Sequence, residues 1–444
     1  MGRDISPPPV KRRKLATLSA EPRPPAAPSQ PTETFTTLSN YMKTPRSFRL
    51  FSWNINGVAP YLPSQTTTIT SFFKPSDASQ QPPRPKPNSL RTFLSRHNFP
   101  EALFLQELKI QNGNTKALAT LLTSLNAPLN ENDTLSDSRT YTLDTVLPRD
   151  KFNAKGFQGK LYGVGTILRA DFAREHVARV REAAWDLEGR VSVVELHHAS
   201  ESSPNRHKPL ALVNVYAVNG TSAPYRSPAT GLVVGTRHDH KLAFHSRLRD
   251  ECLALEGSGF CVVVAGDVNV ARGLWDGYPN LRTWPRQHCV NRADFNRKFF
   301  GEADCGRANA YVGISGSTGD RGRDADGNDE GEGGDWKERK NGTEEDGGGQ
   351  GNREQEEKRR RERKREKEKC LDAVDVFRAM HGDERRYTYY PRTREWGSSC
   401  DRVDMVFVSR GLWESGRVRR TGILDTPQER GLSDHVPLWV EVEL

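Results

Sequence analysis

The tetrapeptide Gly266-Asp267-Val268-Asn269 ends the strongest buried-strand signal in the chain, Cys261-Val262-Val263-Val264-Ala265. A β-branched run of that length forms a strand unaided. A carboxylate and an amide two residues apart at its tip do not serve packing; they are placed to hold something in a cleft. The layout recurs in Phe51-Ser52-Trp53-Asn54-Ile55-Asn56-Gly57, in Leu103-Phe104-Leu105-Gln106-Glu107, in Val213-Asn214-Val215-Tyr216-Ala217-Val218-Asn219, and in Leu432-Ser433-Asp434-His435 before a last strand, Pro437 to Val442. Repeated polar-tipped strands describe the rim of an α/β site. Their chemistry suits hydrolysis of a phosphodiester, which needs neutralised phosphate charge, an activated water and a stabilised leaving oxygen.

Hard oxygen ligands dominate this set. Glu107 is the leading metal ligand, with amide oxygens from Asn54 or Asn56 and the Asp434 carboxylate beside it, and Asp267, Asn269 and His435 complete the candidate shell. Mg²⁺ prefers few carboxylates and keeps several waters, with Mn²⁺ as a substitute. No His-rich or Cys-rich cluster calls for zinc. The ordinary alternative for Glu107 is an ion pair with Lys109. His435 needs an orienting partner, because the bond made by one ring nitrogen sets the state of the other; Asp404 is the candidate. Either Asp267 or His435 can be the proton acceptor, and Tyr216 has a hydroxyl that would polarise the phosphate or the leaving group.

The elements that must carry these residues are strands near 48–54, 102–106, 161–168, 190–196, 210–217, 260–266, 402–409 and 437–443. Helical stretches lie between them, among them Ser89 to His97, Asn114 to Leu125 and Asp239 to Leu255, and apolar spacing suggests a packed helix over 370–380. Short strands at this spacing predict two facing sheets flanked by helices rather than a parallel dinucleotide-binding sheet. No phosphate-cradling glycine motif opens a helix, so a nucleotide cofactor is not expected.

Taken in order, Ser52 to Gly57, Leu105 to Lys109, Gly163-Val164-Gly165, Glu188-Gly189-Arg190, Tyr216 with Asn219, Gly266 to Val270, Arg402-Val403-Asp404 and Ser433-Asp434-His435 make the chain resemble the exonuclease III class of AP endonucleases, within the endonuclease/exonuclease/phosphatase superfamily. The resemblance covers most of 48–311 and 370–444. It implies an α/β fold, a four-layer αββα sandwich, and a Mg²⁺-dependent nuclease acting on double-stranded DNA. It also implies that Asp404 pairs with His435, that Asp267 and Asn269 position the attacking water, and that Asn219 bonds a phosphate oxygen.

Substrate contacts are expected from Arg190, from Tyr389 and Tyr390 as apolar walls, and from a loop, 284–292, in which Trp284, Arg286 and Arg292 would grip phosphates and stack on bases. The family usually has an apolar pair just before its Arg-Leu-Asp motif, lining the pocket for a baseless sugar. Here Cys400 and Asp401 occupy those places, and an acid beside an anionic sugar-phosphate weakens that pocket. Abasic-site incision, 3′ end cleaning and 3′ to 5′ exonuclease action all remain open, as do another superfamily substrate (RNA or a phosphoinositide) and a non-catalytic adaptor.

The 444-residue chain has 34% hydrophobic residues and a formal net charge of +9, which predicts one catalytic domain with disordered additions and a polyanionic partner. Residues 1–46 read as a Pro-rich tail whose Lys11-Arg12-Arg13-Lys14 run suits an importin groove and nuclear import. Residues 61–88 read as a Thr/Pro-rich insertion in which Ile69, Phe72 and Phe73 approach the peptide that docks on the replication sliding clamp. Residues 312–369 read as a low-complexity charged insertion. Six cysteines without Cys-x-x-Cys spacing predict neither a zinc knuckle nor a disulfide framework, and no apolar run has the length of a membrane span. The last strand runs to the end at Leu444, so no appended C-terminal module is expected.

Overall fold

The computed structural model describes residues 47–62, 89–111, 113–130, 133, 136–153, 160–197, 207–301 and 370–444. The importin run at 11–14, the clamp-like Ile69, Phe72 and Phe73, and the charged insertion all lie outside the described residues.

Two six-stranded sheets dominate. The first runs β17 (Val418–Ile423), β18 (Leu438–Glu443), β1 (Ser47–Asn54), β2 (Ala102–Gln106), β6 (Val164–Arg169), β4 (Tyr141–Val146). The second runs β14 (Ala373–Asp375), β16 (Asp404–Ser409), β12 (Cys261–Asp267), β9 (Leu210–Tyr216), β8 (Val191–Leu196), β7 (Val177–Glu182). Each has one parallel pair at its centre, β1 with β2 and β9 with β12, among antiparallel neighbours. Three short ribbons lie outside them: β3 (Ile110–Gln111) with β5 (Lys160–Leu161), β10 (Pro224–Arg226) with β11 (Val233–Thr236), and β13 (Gly277–Tyr278) with β15 (Cys400–Asp401).

Three apolar clusters make the sheets a four-layer αββα sandwich. Phe48, Leu50 and Phe104 of the first sheet meet Leu212, Val263 and Val406 of the second. On the outer face of the second sheet, Val213, Val264 and Phe407 pack on Phe244 and Leu248 of α4 (Arg237–Gly257) and on Phe295 and Phe299 of α5 (Gln287–Phe299). On the outer face of the first, Phe51, Trp53 and Leu105 pack on Phe93 of α1 (Leu90–Arg96) and Leu121 of α2 (Thr115–Leu125). Full burial of each such side chain stabilises the fold by about 1.5–3 kcal/mol.

The period-two alternation of strands explains where the site must lie. Along the face turned toward the other sheet, β1 reads Phe48, Leu50, Ser52, Asn54; β9 reads Leu210, Leu212, Asn214, Tyr216; β12 reads Cys261, Val263, Ala265, Asp267. Each strand is apolar at its start and polar at its end. Because the two parallel pairs run the same way within each sheet, the polar ends collect at one edge. Buried hydrogen bonds stitch the sheets just below it: Gln106 Nε2 donates to Ser52 Oγ (3.0 Å) and Asn214 Oδ1 (2.8 Å), and Asn214 Nδ2 donates to the Gly165 carbonyl (2.9 Å).

The stretch 370–380 departs from the single helix that its spacing suggests. Ala373–Asp375 add an edge strand beside β16, and a short α6 (Val376–His381) follows, begun by the Asp375 side chain accepting from the Arg378 amide at 3.3 Å. Among the described residues no helix is long and apolar enough to cross a membrane, and five cysteines are free.

Candidate active site

A cleft of about 220 Å³ opens where the polar strand ends converge. It is lined by Glu107, Tyr216, Asn219, Asp267, Asn269, Tyr389, Asp434 and His435 among others. Backbone geometry at the rim is unusual: Asn56, Glu107 and Asn269 hold φ of 54°, 56° and 54°, a region costly for a residue with a Cβ other than Asn or Asp. Such strain persists where surrounding bonds fix it. Gly266 is obligatory, because a Cβ there would sit 1.9 Å from the Val215 carbonyl oxygen.

Asn54 is fully buried at the cleft floor and its Nδ2 donates to Glu107 Oε1 (3.1 Å) and Asp267 Oδ2 (3.0 Å), joining carboxylates from opposite sheets. The Tyr216 hydroxyl donates to Glu107 Oε1 at 2.7 Å, and Lys109 Nζ lies 2.6 Å from Glu107 Oε2. Thus the Glu107–Lys109 ion pair exists and Glu107 still faces the cleft. Burial pushes the Glu107 carboxyl up, but the Lys109 charge and hydrogen bond, with those of Tyr216 and Asn54, outweigh it and hold the group below its ordinary value. Burial and the Glu107 charge keep Tyr216 protonated, well above its ordinary value. Asn56 Nδ2 donates to Asp434 Oδ1 (2.9 Å), and Lys109 also bonds Asn56 Oδ1.

Opposite, His435 Nδ1 lies 2.7 Å from Asp404 Oδ2, both residues buried. Burial alone would lower the imidazole, but Asp404's charge and hydrogen bond raise it to about 10, so His435 is imidazolium at neutral pH. Asp267, beside them, is pushed up to about 7 by burial and by the Asp404 charge, against the opposing pull of His435. Its Oδ1 accepts from the Asn269 amide at 2.8 Å, while Asn269 Nδ2 donates to the Ala217 carbonyl at 2.9 Å. Asp267, Asp404 and His435 bring one ligand atom each within 4.8 Å of one another, and Asp404 Oδ1 is buried without a hydrogen-bond partner.

This donor set fits a hard divalent cation: carboxylates and carboxamides surround the cleft, one buried carboxylate oxygen has no partner, and of the two imidazoles that line it, that of His435 is tied to Asp404 at Nδ1. A zinc site would need neutral imidazole or thiolate ligands.

The other expected substrate contacts divide between the cleft and its surroundings. Arg190 is buried behind Tyr216, with its guanidinium 4.8 Å from the ring centroid, its NH1 donating to the Tyr216 carbonyl (3.2 Å) and its Nε to Glu188 (2.7 Å); it supports Tyr216 rather than substrate. Tyr389 meets His435 at 5.0 Å between centroids, but Tyr390 turns into the core and stacks on Trp396 at 3.8 Å. Neighbouring residues of an extended segment point to opposite sides, so both cannot wall one pocket. The stretch 284–292 is half helical, since α5 starts at Gln287. Trp284 (82% exposed) and Arg286 stand outside the cleft lining, whereas Arg292 is part of it, largely buried and donating to the carbonyls of Ala271 and Arg282 at 2.7 Å each. Through these two carbonyls Arg292 braces the cleft wall that it lines. Asp401 lines the cleft with its charge opposed by Arg282, whose NH2 is 3.3 Å away.

Lys241 is a cleft side chain that no motif in the sequence marks. It is 3% exposed, lines the cleft, and donates from Nζ to the Asn269 carbonyl at 2.7 Å. Burial pulls its amine down to about 7, partly offset by Asp267. The Thr236 to Asp239 capping box fixes where α4 starts but not which of its faces meets the cleft.

Comparison with known proteins agrees with this architecture. No curated protein sequence matches significantly. The AP endonuclease LMAP from Leishmania major superposes with a TM-score of 0.50 at 17% identity, covering 90% of this chain and 88% of that one. The catalytic domain of Xenopus laevis APE2 gives 0.49 at 16% identity, covering 89% and 92%. At 17% identity the likeness to LMAP concerns the fold alone. Residues 51–435 match the Endonuclease/Exonuclease/phosphatase family. The chain therefore belongs to the Endonuclease/Exonuclease/phosphatase family.

Proposed function

We propose that this protein is a Mg²⁺-dependent DNA repair nuclease that hydrolyses phosphodiesters of duplex DNA at abasic sites or 3′ ends. The observation that carries this reading is the convergence of Glu107, Tyr216, Asp267, Asn269, Asp434 and His435 on one cleft, with Asp404 behind His435. Such a group set serves attack by water on a bound phosphate anion.

The proton balance favours Asp267 as the base. His435 already holds its proton at neutral pH, whereas Asp267 titrates near the working range, where a general base is most effective. Asp267 takes the proton of the attacking water, which Asn269 helps to orient. The His435 imidazolium, fixed by Asp404, stabilises charge on the phosphate oxygens. Asn219, exposed at the rim, supplies an amide to a phosphate oxygen. Glu107, with Asn54 and Asp434, would hold the Mg²⁺, which when bound neutralises phosphate charge and the leaving oxygen.

The test is a substrate panel: purified protein with Mg²⁺, offered abasic duplex, 3′-blocked nicks, recessed ends and RNA, beside Glu107→Ala. Cleavage of one or more DNA substrates, lost in the variant, is expected. Turnover of RNA alone would assign the cleft to another branch of the family.

A further inference from the structure

The cleft wall beyond His435 carries a charge pair that the hydrolytic chemistry does not use. Tyr389 pairs through its backbone with Asp401 on one side and with His435 on the other, its amide donating to the Asp401 carbonyl at 2.8 Å and its carbonyl accepting from the Asp401 amide at 3.2 Å. Directly opposed residues of antiparallel strands point their side chains the same way. All three accordingly line the cleft. Two strand spacings, about 10 Å, separate Asp401 from His435, a span that one nucleotide bridges from its phosphate to the edge of its base.

The pair of Asp401 with Arg282 is loose. Its bond, Arg282 NH2 to Asp401 Oδ2, is 3.3 Å long, with the Asp401 carboxylate 14% exposed and the Arg282 side chain 56%. Among the described residues neither side chain makes another hydrogen bond, so Asp401 Oδ1 and most of the guanidinium donors are left for a ligand. Between this pair and His435 stands the half-buried Tyr389 ring, 5.0 Å from the imidazole.

An aromatic face with a carboxylate and a guanidinium beside it is equipped to read a nucleobase, since the ring stacks on the base plane while acceptor and donor meet its edge. Rival occupants fit worse. A baseless sugar has no flat face to stack, and Asp401 repels a phosphate. Bases also differ in what they offer this pair: thymine has a single N–H set between carbonyls, whereas guanine has adjacent donors, N1–H and the N2 amine, beside its O6 acceptor. One carboxylate takes both guanine donors, and the guanidinium takes O6.

We propose that Tyr389, Asp401 and Arg282 form a base-reading subsite for an unpaired nucleotide next to the scissile phosphate, with guanine the preferred base. Tyr389 stacks on the base, Asp401 accepts from N1–H and the N2 amine, and Arg282 donates to O6. The assignment rests on the DNA-nuclease reading above.

The test uses the full chain with Mg²⁺ and duplexes that end in one unpaired 3′ nucleotide bearing guanine, hypoxanthine or thymine. Hypoxanthine is guanine without the N2 amine, so it removes a single donor. Removal of the guanine nucleotide should exceed that of the other two by about tenfold in kcat/KM, and Asp401→Ala should bring the three together. Equal parent values for guanine and hypoxanthine overturn the subsite, a comparison that needs no variant and so stands even where Asp401→Ala fails to fold. A folded Asp401→Ala that keeps the parent's preference overturns it as well. So does a parent that incises abasic duplex yet removes no 3′ nucleotide, an outcome that leaves the DNA reading in place. A parent inert on every DNA substrate overturns the DNA reading itself.

Discussion

The Tyr216 hydroxyl donates to Glu107 Oε1 at 2.7 Å, a bond that crosses from the second sheet to the end of β2 in the first. It couples the spacing of the sheets to the orientation of the leading metal ligand, and Arg190 supports it from behind. Tyr216→Phe removes one buried hydrogen bond, so unfolding free energy should fall by about 1–1.5 kcal/mol. Cleavage should fall by about 10²-fold, in the range seen when one preorganised donor is lost. Urea denaturation beside single-turnover cleavage measures both; full activity with unchanged stability would remove Tyr216 from the site.

The pH profile should be bell-shaped. Asp267 must be ionised, so activity rises with pH through about 7; His435 must be protonated, so activity falls through about 10. Asp404 is what raises His435, so Asp404→Asn should move the alkaline limb to lower pH. The same shift bears on folding. His435 is raised above its unfolded value, so its contribution to stability is complete below about 6.5 and is lost as pH climbs through about 10. Stability curves of the parent and Asp404→Asn should therefore converge at high pH. An alkaline limb that stays in place in the variant would contradict the pairing.

Arg402 is fully buried between two carboxylates, bonding Asp276 at 2.7 Å and Asp375 at 2.7 Å. Arg402→Met leaves both acids without their main counter-charge, which costs about 3–5 kcal/mol for a broken buried pair. Guanidinium denaturation should show the loss, and a shift below 1 kcal/mol would contradict it.

Asp401 and Arg282 face each other at the cleft rim. Asp401→Asn releases the Arg282 cation, and if that cation meets one DNA phosphate the slope of log binding constant against log salt should steepen by about 0.9. Filter binding across a salt series reads this. An unaltered slope would place Arg282 off the DNA path. Asp401→Trp should in turn raise incision at an abasic site relative to exonuclease action.

Much of the fold was readable because strand signals and site signals coincide. The apolar-to-polar gradient along β1, β9 and β12 names both the interior face and its functional end, so Asn54, Tyr216 and Asp267 could be placed from alternation alone. Edge strands β4, β7 and β17 escaped notice, since their half-exposed patterns alternate weakly. Lys241 was invisible for a different reason: a helix residue enters the cleft only through the packing of α4 on β12, which no local spacing encodes. Arg292, a cation in a polar stretch, is turned inward by the start of α5 and reaches the cleft as a largely buried part of its wall. Arg190 carried a correct motif but acts one layer behind the substrate surface.

The account depends above all on Glu107 belonging to a metal-dependent hydrolytic centre. The most direct measurement is single-turnover cleavage of a DNA duplex by parent and Glu107→Gln across a Mg²⁺ titration, with EDTA as the zero point and circular dichroism as the check on folding. The account predicts no cleavage in EDTA, recovery with Mg²⁺ in the parent, and a folded variant that is slower by about 10²-fold or more and needs more Mg²⁺. Cleavage that persists in EDTA, or a variant with the parent's rate and Mg²⁺ dependence, would contradict it.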